Sequence, residues 1–387
     1  MNRRVRERDE VEARWRRGEE AHRQLQQIFA VNKLWELEKY LGQGSYGVTV
    51  LLKARDPFHI RSRRRVVLKR AVPRIGNETT QDFAREIKAL NHVRGKAHHA
   101  QIIEGTTDVT KFWTGDGRAR LALRKIFAPF RNRNPVSVLK ILSGYNGPAI
   151  LLEYIENGSL VQFHNKVRQH GVRLPNRLLW SFYFCLVRAC AGMHFHHPPQ
   201  PQQGEPPVLE GIPTNKQPLP FAHNDIFERN VMMGDWEPHV PEHQVGTNMK
   251  LIDYGICTTN ISGSDSMLDN LLGVTLIIVR LILGHDPDIS VENATQYKGR
   301  ATFATDILPG LTEEGHPYDP FPDLDTDLRD LIAEVLTREL SDRPRIAEVF
   351  RRVQAGMQKP ASAYPPAALE EGDVLIRRLM QLLLYEL

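Results

Sequence analysis

The sequence predicts an α+β protein, with strands in its N-terminal half and helices in its C-terminal half. Residues 34–53 alternate apolar and polar side chains on both sides of a glycine-rich turn, which is typical of two strands joined by a tight loop. A β-branched run at 65–69 predicts a third strand, and residues 80–90 carry apolar side chains at helical spacing. Longer apolar segments of helical period follow at 178–197, 267–284 and 328–353.

Composition favours one large folded unit or two domains. The 387 residues are 41% hydrophobic, and the net charge is +5. We expect no nucleic-acid partner, because the basic residues are spread along the chain and form no nucleic-acid-binding motif. The three cysteines (Cys185, Cys190, Cys257) predict neither a disulfide framework nor a metal site. We expect Cys185 and Cys190 to be core residues.

The apolar segment 267–284 is about long enough to cross a membrane, but we expect it to be a buried helix. It contains Asp269 and Arg280, and both side chains are costly in lipid. The N-terminus is charged from Arg3 onward, so we expect no signal peptide. An intracellular location, cytoplasmic or nuclear, and a chain without a membrane span are therefore predicted.

The most informative stretch is His223-Asn224-Asp225-Ile226-Phe227-Glu228-Arg229-Asn230, followed by Leu251-Ile252-Asp253-Tyr254-Gly255. It contains an acid, an amide and a second acid at the spacing that phosphoryl transfer from ATP requires. Asp225 would accept the proton of an attacking hydroxyl, while Asn230 and Asp253 would hold Mg²⁺. Because each short triplet is common by itself, the prediction depends on what lies upstream.

Two upstream motifs occur in the matching order. Glycines at 42, 44 and 47 would let backbone N–H groups approach phosphate oxygens; a plain β-hairpin is the alternative. A dinucleotide-binding fold is disfavoured, because strand rather than helix follows this loop. Lys69 ends the third strand, and Glu86 lies on the helix after it. An ion pair between Lys69 and Glu86 would aim the ammonium at the α- and β-phosphates, although either residue alone would be an ordinary exposed charge.

With these motifs in this order, the chain resembles the eukaryotic protein kinase family over roughly residues 34–353. The resemblance implies a two-lobed protein kinase-like fold, with a β-rich N-lobe containing one main helix and a mostly helical C-lobe. It also implies ATP and Mg²⁺ as cofactors. The residues it places at the nucleotide are Leu41, Gly42, Gly44, Gly47, Thr49, Val67, Lys69, Glu86, Glu153, Ile155 and Met232. The residues it implies for catalysis are Asp225, Lys69, Asn230, Asp253 and Arg229, with Asn230 and Asp253 binding the metal.

Departures from the family pattern bear on regulation and on the substrate. Asn224 replaces the arginine that reads a phosphate on the activation loop, and little sequence separates Asp253 from the apolar helix. We therefore expect activity without activation-loop phosphorylation. Phe227 replaces a lysine found in Ser/Thr kinases. Arg229 stands where tyrosine kinases have an arginine, and it is either that positive charge or a surface residue.

These departures leave the acceptor open. We expect a protein kinase acting on a protein hydroxyl, with Ser/Thr favoured over Tyr. One alternative is a small-molecule kinase of the choline or aminoglycoside phosphotransferase type, whose members share the sequence His-Asn-Asp at this place. The other is a catalytically weak pseudokinase that serves as a scaffold.

The predicted domain organisation has five parts. They are a charged N-terminal helical extension (1–33), an N-lobe (34–156) with a basic insertion at about 104–135, a C-lobe (157–353) with a Pro-rich insertion (198–220), a linker (354–372) and a C-terminal amphipathic helix (373–387). We expect the extension to dock on the N-lobe, with a partner-binding arm as the alternative. We expect the last helix, capped by Asp373, to pack on the body or on another copy of the chain.

Overall fold

The computed structural model describes residues 3–44, 47–55, 65–72, 78–106, 148–195, 207–312, 314–365 and 367–386. Within these ranges the protein is a mixed α+β structure containing a five-stranded antiparallel sheet, as the sequence predicts. From residue 107 onward the predicted basic insertion lies outside the described residues. The same is true of 198–206 in the Pro-rich segment and of Ser45 and Tyr46 in the glycine-rich turn.

The N-terminal half contains the sheet. Its elements are α1 (Arg3–Val31), β1 (Trp35–Gln43), β2 (Gly47–Ala54), β3 (Arg65–Ala71), α2 (Glu78–His92), β4 (Ile102–Thr106) and β5 (Ala149–Glu153). The strand order in the sheet is β1-β2-β3-β5-β4. The first residues of the predicted insertion, 104–106, belong to β4.

The C-terminal half is mainly helical and carries short two-stranded ribbons. Its helices are α3 (Leu160–Gln169), α4 (Asn176–His194), α5 (Gly263–Leu283), α6 (Thr326–Val335), α7 (Ile346–Met357) and α8 (Asp373–Gln381). Its ribbons pair β6 (Val231–Met233) with β7 (Met249–Leu251), β8 (Thr295–Tyr297) with β9 (Arg300–Thr302), and β10 (Gly310–Leu311) with β11 (Pro317–Tyr318).

Helix α1 covers one face of the sheet. Ala21, Leu25 and Phe29 follow one another at four-residue spacing, so they form one stripe, and all three are buried. They share an apolar cluster with side chains from β2 and β3, including Val50 and Leu68. The predicted docking of the N-terminal extension on this half of the molecule is thus present in the structure.

The opposite face of the sheet is turned toward the helical half. Thr49 pairs with Lys69, and Leu51 pairs with Val67. Because side chains alternate along a strand, these residues point away from the face that α1 covers. Lys69 is thereby placed between the two halves of the molecule.

The core of the helical half is built around α4 and α5. Most side chains of α4 are buried, and the Tyr183 hydroxyl lies 2.7 Å from the hydroxyl of Thr275 on α5. Among the described residues, α5 is the one helix long and apolar enough to cross a membrane. Most of it is buried within the protein, which agrees with the expected core helix.

The C-terminal segment packs on this core, although two details differ from the sequence prediction. Ile376, Met380 and Leu383 are buried against the helical half. The N-cap of α8 is Gly372, not Asp373, because Asp373 is already the first helical residue and binds Arg177 at 2.6 Å.

The predicted linker 354–372 also contributes to the core. Helix α7 occupies its first residues, and the buried Glu371 accepts hydrogen bonds from the backbone N–H groups of Asn176 (2.6 Å) and Arg177 (2.9 Å). Helix α4 has no side-chain cap of its own at its N-cap, Pro175. A distant carboxylate therefore satisfies the start of α4 and complements its dipole.

Candidate active site

Lys69 joins the two halves of the molecule through an ion-pair network. Its Nζ atom lies 2.6 Å from Glu86 Oε1 and 2.9 Å from Asp253 Oδ1. Burial would lower the pKa of Lys69, but the carboxylates of Glu86 and Asp253 outweigh it, and the pKa lies above its usual value. The ammonium therefore stays charged, held by one partner from each half.

The burial of α2 explains how Glu86 reaches this position. Phe83 and Leu90 are buried, and Ile87 packs against the same core. Glu86 lies three residues after Phe83 and four before Leu90, so it shares their face of the helix. Packing that face against the sheet carries the Glu86 carboxylate inward to β3. The pair predicted from the sequence is therefore formed.

Asp253 and Asn230 lie at the same end of the β6–β7 ribbon. Val231 pairs with Leu251, and the Ile252 N–H donates to the Asn230 carbonyl at 2.9 Å. Asn230 immediately precedes β6, and Asp253 follows β7, with a positive φ of 61°. A positive φ is uncommon outside glycine, and here it accompanies the contact with Lys69. Burial would raise the pKa of Asp253, but the Lys69 charge lowers it, which keeps the carboxylate ionised.

Asp225 is held by two side chains from the short 3-10 helix Glu228–Asn230. Asn230 Nδ2 donates to the Asp225 carbonyl at 2.8 Å and to its Oδ2 at 2.7 Å. Arg229 forms an ion pair with the other carboxylate oxygen, Oδ1. His164 on α3 lies 2.7 Å from Glu228 and so connects this 3-10 helix to α3. The three residues predicted at 225, 229 and 230 therefore form one connected group.

Phe227 forms the other support of Arg229. The Arg229 guanidinium lies 4.4 Å from the centroid of the Phe227 ring, and the Arg280 guanidinium lies 5.0 Å from it. Cations at this distance are attracted by the ring face. Phe227 thus holds the Arg229 guanidinium beside Asp225.

Asn224 connects the segment 223–230 to the segment after Asp253. Its Nδ2 donates to the Ile256 carbonyl at 2.8 Å and to the Thr258 hydroxyl at 3.0 Å. Its φ is 65°, a left-handed conformation that asparagine tolerates better than most residues. Ala222 and Thr258 also exchange two backbone hydrogen bonds of 2.9 Å. Sequence reasoning identified the replacement at 224 but not this contact.

Of the three glycines around the β1–β2 turn, two have a structural reason to be glycine. Gly42 has a φ of 153°, which disfavours other residues. A Cβ on Gly47 would lie 2.3 Å from the Arg70 carbonyl, so packing excludes a side chain there. Gly44 has neither constraint, because no described atom beyond its chain neighbours lies within 4 Å of the position its Cβ would occupy. A glycine without a structural reason fits a backbone that a ligand approaches closely.

The remaining residues predicted to bind the nucleotide differ in burial. Thr49 and Val67 are half-buried on the Lys69 face, and Leu41 is exposed. Met232 is half-buried on β6, and Ile155 is buried beyond β5.

The Glu153 side chain links the sheet to the β6–β7 ribbon. It accepts hydrogen bonds from Lys250 at 2.8 Å and from the Gln101 N–H at 2.8 Å. Its side chain therefore has a structural role, and adenine binding by the main chain of Glu153 and Ile155 stays a prediction.

Comparison with known proteins adds no assignment for these residues. No protein-family model matches the sequence, and no curated protein matches it either.

Proposed function

We propose that the protein is an ATP- and Mg²⁺-dependent phosphotransferase with a two-lobed, protein kinase-like fold. The observation that carries this proposal is the position of Lys69 Nζ, at 2.6 Å from Glu86 and 2.9 Å from Asp253. A lysine on a strand, an acid on the following helix and an acid after a ribbon converge at this point. Protein kinases use this combination to clamp the phosphates beside a metal ligand.

The residues around Asp225 support a role as the proton acceptor. The hydroxyl oxygen of the acceptor would attack the γ-phosphorus and lose its proton to Asp225, with ADP as the leaving group. Arg229 would place a positive charge beside the transferred phosphoryl group. Asn230 and Asp253 fit Mg²⁺, because carboxylate and amide oxygens are its preferred protein ligands. Since Asn230 Nδ2 donates hydrogen bonds to Asp225, the side-chain oxygen of Asn230, Oδ1, is the atom available to a cation. When bound, Mg²⁺ would neutralise phosphate charge.

We propose a protein hydroxyl as the acceptor, because the glycine-rich turn, the Lys69–Glu86 pair and the closing helices are together typical of protein kinases. A small-molecule acceptor is the second candidate, favoured by one observation. Asn224 binds the segment at residues 256–258 directly, and α5 begins at Gly263. Little chain therefore remains between Asp253 and α5 to support a bound peptide.

The deciding experiment supplies labelled ATP and Mg²⁺ with two acceptor pools, a peptide library and a metabolite extract. We expect label in the peptide pool or on the protein itself, and we expect Asp225→Asn to abolish it. Asp235→Asn is the matched control, because Asp235 is an exposed carboxylate beyond the same ribbon. Label in the metabolite pool alone would show that the protein is a small-molecule kinase instead. ATP binding without transfer to any acceptor would favour the scaffold.

A further inference from the structure

A second cluster of reactive side chains is buried in the helical half, and none of its members is a predicted catalytic residue. His98, Cys185 and His243 are fully buried. One ring nitrogen from each histidine and the sulfur of Cys185 all lie within 4.8 Å of one another. These three residues, which we call the His98 cluster, come from the turn after α2, from α4 and from the loop between β6 and β7.

Two carboxylates fix the orientation of the histidine rings. Glu210 Oε2 lies 2.6 Å from His98 Nδ1, and Glu237 Oε2 lies 2.8 Å from His243 Nδ1. An ionised carboxylate only accepts hydrogen bonds, so each Nδ1 carries the hydrogen. In a neutral ring the remaining nitrogen, Nε2, then presents a lone pair.

The two Nε2 atoms lie 3.4 Å apart. Without a proton or a cation between them, two lone pairs would face one another in a buried space beside a cysteine sulfur. Two nitrogens bound to one tetrahedral zinc ion at about 2.0–2.1 Å are separated by roughly 3.3 Å. The separation in this protein matches that value.

We propose that His98, Cys185 and His243 bind a zinc ion, or a divalent transition metal of similar preference. Thiolate and imidazole are the ligands that zinc favours. Histidine ligands of metals commonly donate their other N–H to a carboxylate, which orients the ring and raises its basicity. Glu210 and Glu237 serve this purpose on both histidines.

The position of the cluster indicates a structural role for the ion. All three ligands are buried, so no substrate reaches them. The ion connects α4 to the loop 234–248, which joins β6 to β7. It also fixes the Pro-rich segment, because Glu210 belongs to residues 207–220 and its carboxylate additionally accepts from the His98 N–H at 2.9 Å. Metal binding would thereby stabilise the ribbon whose ends carry Asn230 and Asp253.

The competing explanation is a cluster without a metal, in which a protonated histidine faces a cysteine thiolate. The two explanations differ in a measurable way. Purified full-length protein should contain about one zinc per chain by elemental mass spectrometry. Exchange with Co²⁺ should give visible absorption together with a near-ultraviolet thiolate-to-cobalt band.

Variants locate the ion. Cys185→Ser should lose the metal and the thiolate band, whereas Cys190→Ser, on the same buried helix, should keep both. Glu237→Gln should weaken metal binding roughly 10–100-fold while leaving the three ligands in place. Its side chain is 36% exposed, so this variant serves even if Cys185→Ser does not fold.

Two results would overturn the proposal. The first is wild-type protein that contains no stoichiometric metal and takes up neither Zn²⁺ nor Co²⁺. The second is metal whose amount and affinity are unchanged in both Cys185→Ser and Glu237→Gln.

Discussion

Asn230 holds Asp225 through one amide nitrogen, which donates to both the main-chain carbonyl (2.8 Å) and the carboxylate (2.7 Å) of that residue. Asn230→Asp keeps the shape but replaces this donor with a second negative charge. We expect phosphoryl transfer to be lost and the free energy of unfolding to fall by about 1–3 kcal/mol, because Asp225 loses a partner and gains a repulsion. Transfer assays and denaturant melts measure the two effects. A variant with the wild-type rate would show that these hydrogen bonds do not position Asp225.

Arg229 should affect turnover rather than nucleotide binding. It contacts Asp225 and the Phe227 ring, and these contacts place its charge beside the proposed proton acceptor. We expect Arg229→Ala to lower kcat roughly 10²–10³-fold, the usual effect of removing one charge-stabilising donor, with little change in ATP affinity. Arg229→Lys, which keeps the charge, should recover part of the rate. An equal loss in ATP affinity would instead assign Arg229 to ground-state binding.

Activity should not depend on phosphorylation of the protein. Asn224 binds Ile256 and Thr258 directly, so the segment after Asp253 is held without a phosphate. Phosphatase-treated protein made without other kinases should keep its rate. Asn224→Gly, which accepts the positive φ but lacks the amide, should lose activity. A large fall after phosphatase treatment would contradict the prediction.

The glycines of the β1–β2 turn should separate folding from nucleotide binding. Gly47→Ala places a Cβ 2.3 Å from a backbone carbonyl of β3, so we expect a lower melting temperature. Gly44→Ala meets no described atom, and we expect stability within about 0.5 kcal/mol of wild type but weaker ATP binding. Calorimetric melts and nucleotide titration of both variants are the test. Unchanged ATP affinity in Gly44→Ala would remove this turn from the proposed site.

Helix α1 should contribute to the stability of the sheet. Leu25 is fully buried, whereas Val31 at the end of the same helix is 81% exposed. We expect Leu25→Ala to cost about 2–5 kcal/mol through lost burial and a residual cavity. Val31→Ala should change stability by less than about 0.5 kcal/mol. Equal effects in the two variants would mean that α1 does not pack on the sheet in solution.

Local patterns in the sequence were sufficient for much of the sheet and of the site. The glycine-rich hairpin, the strand ending near Lys69 and the helix carrying Glu86 depend on periodicity within a few residues, and the structure contains each of them. Asp225 and Asn230 are five positions apart, and the structure joins them by hydrogen bonds.

Contacts between remote segments were not predictable in the same way. Glu210 lies in a Pro-rich stretch that resembles a solvated loop, yet it is fully buried. Its partner, His98, lies 112 positions away, so no local pattern indicates the contact. The sequence analysis expected no metal site from the three cysteines. His98, Cys185 and His243 come one at a time from three segments, so no local spacing indicates that they lie together.

The capping of α4 by the distant Glu371 has a consequence for the order of folding. Glu371, which completes the start of this central helix, lies 195 positions after Asn176. During synthesis α4 emerges long before Glu371, and the helical half remains without this carboxylate until residue 371 is made. Contacts between such distant positions form slowly, since a long loop must close first. The helical half therefore reaches its final state only after translation of the C-terminal segment.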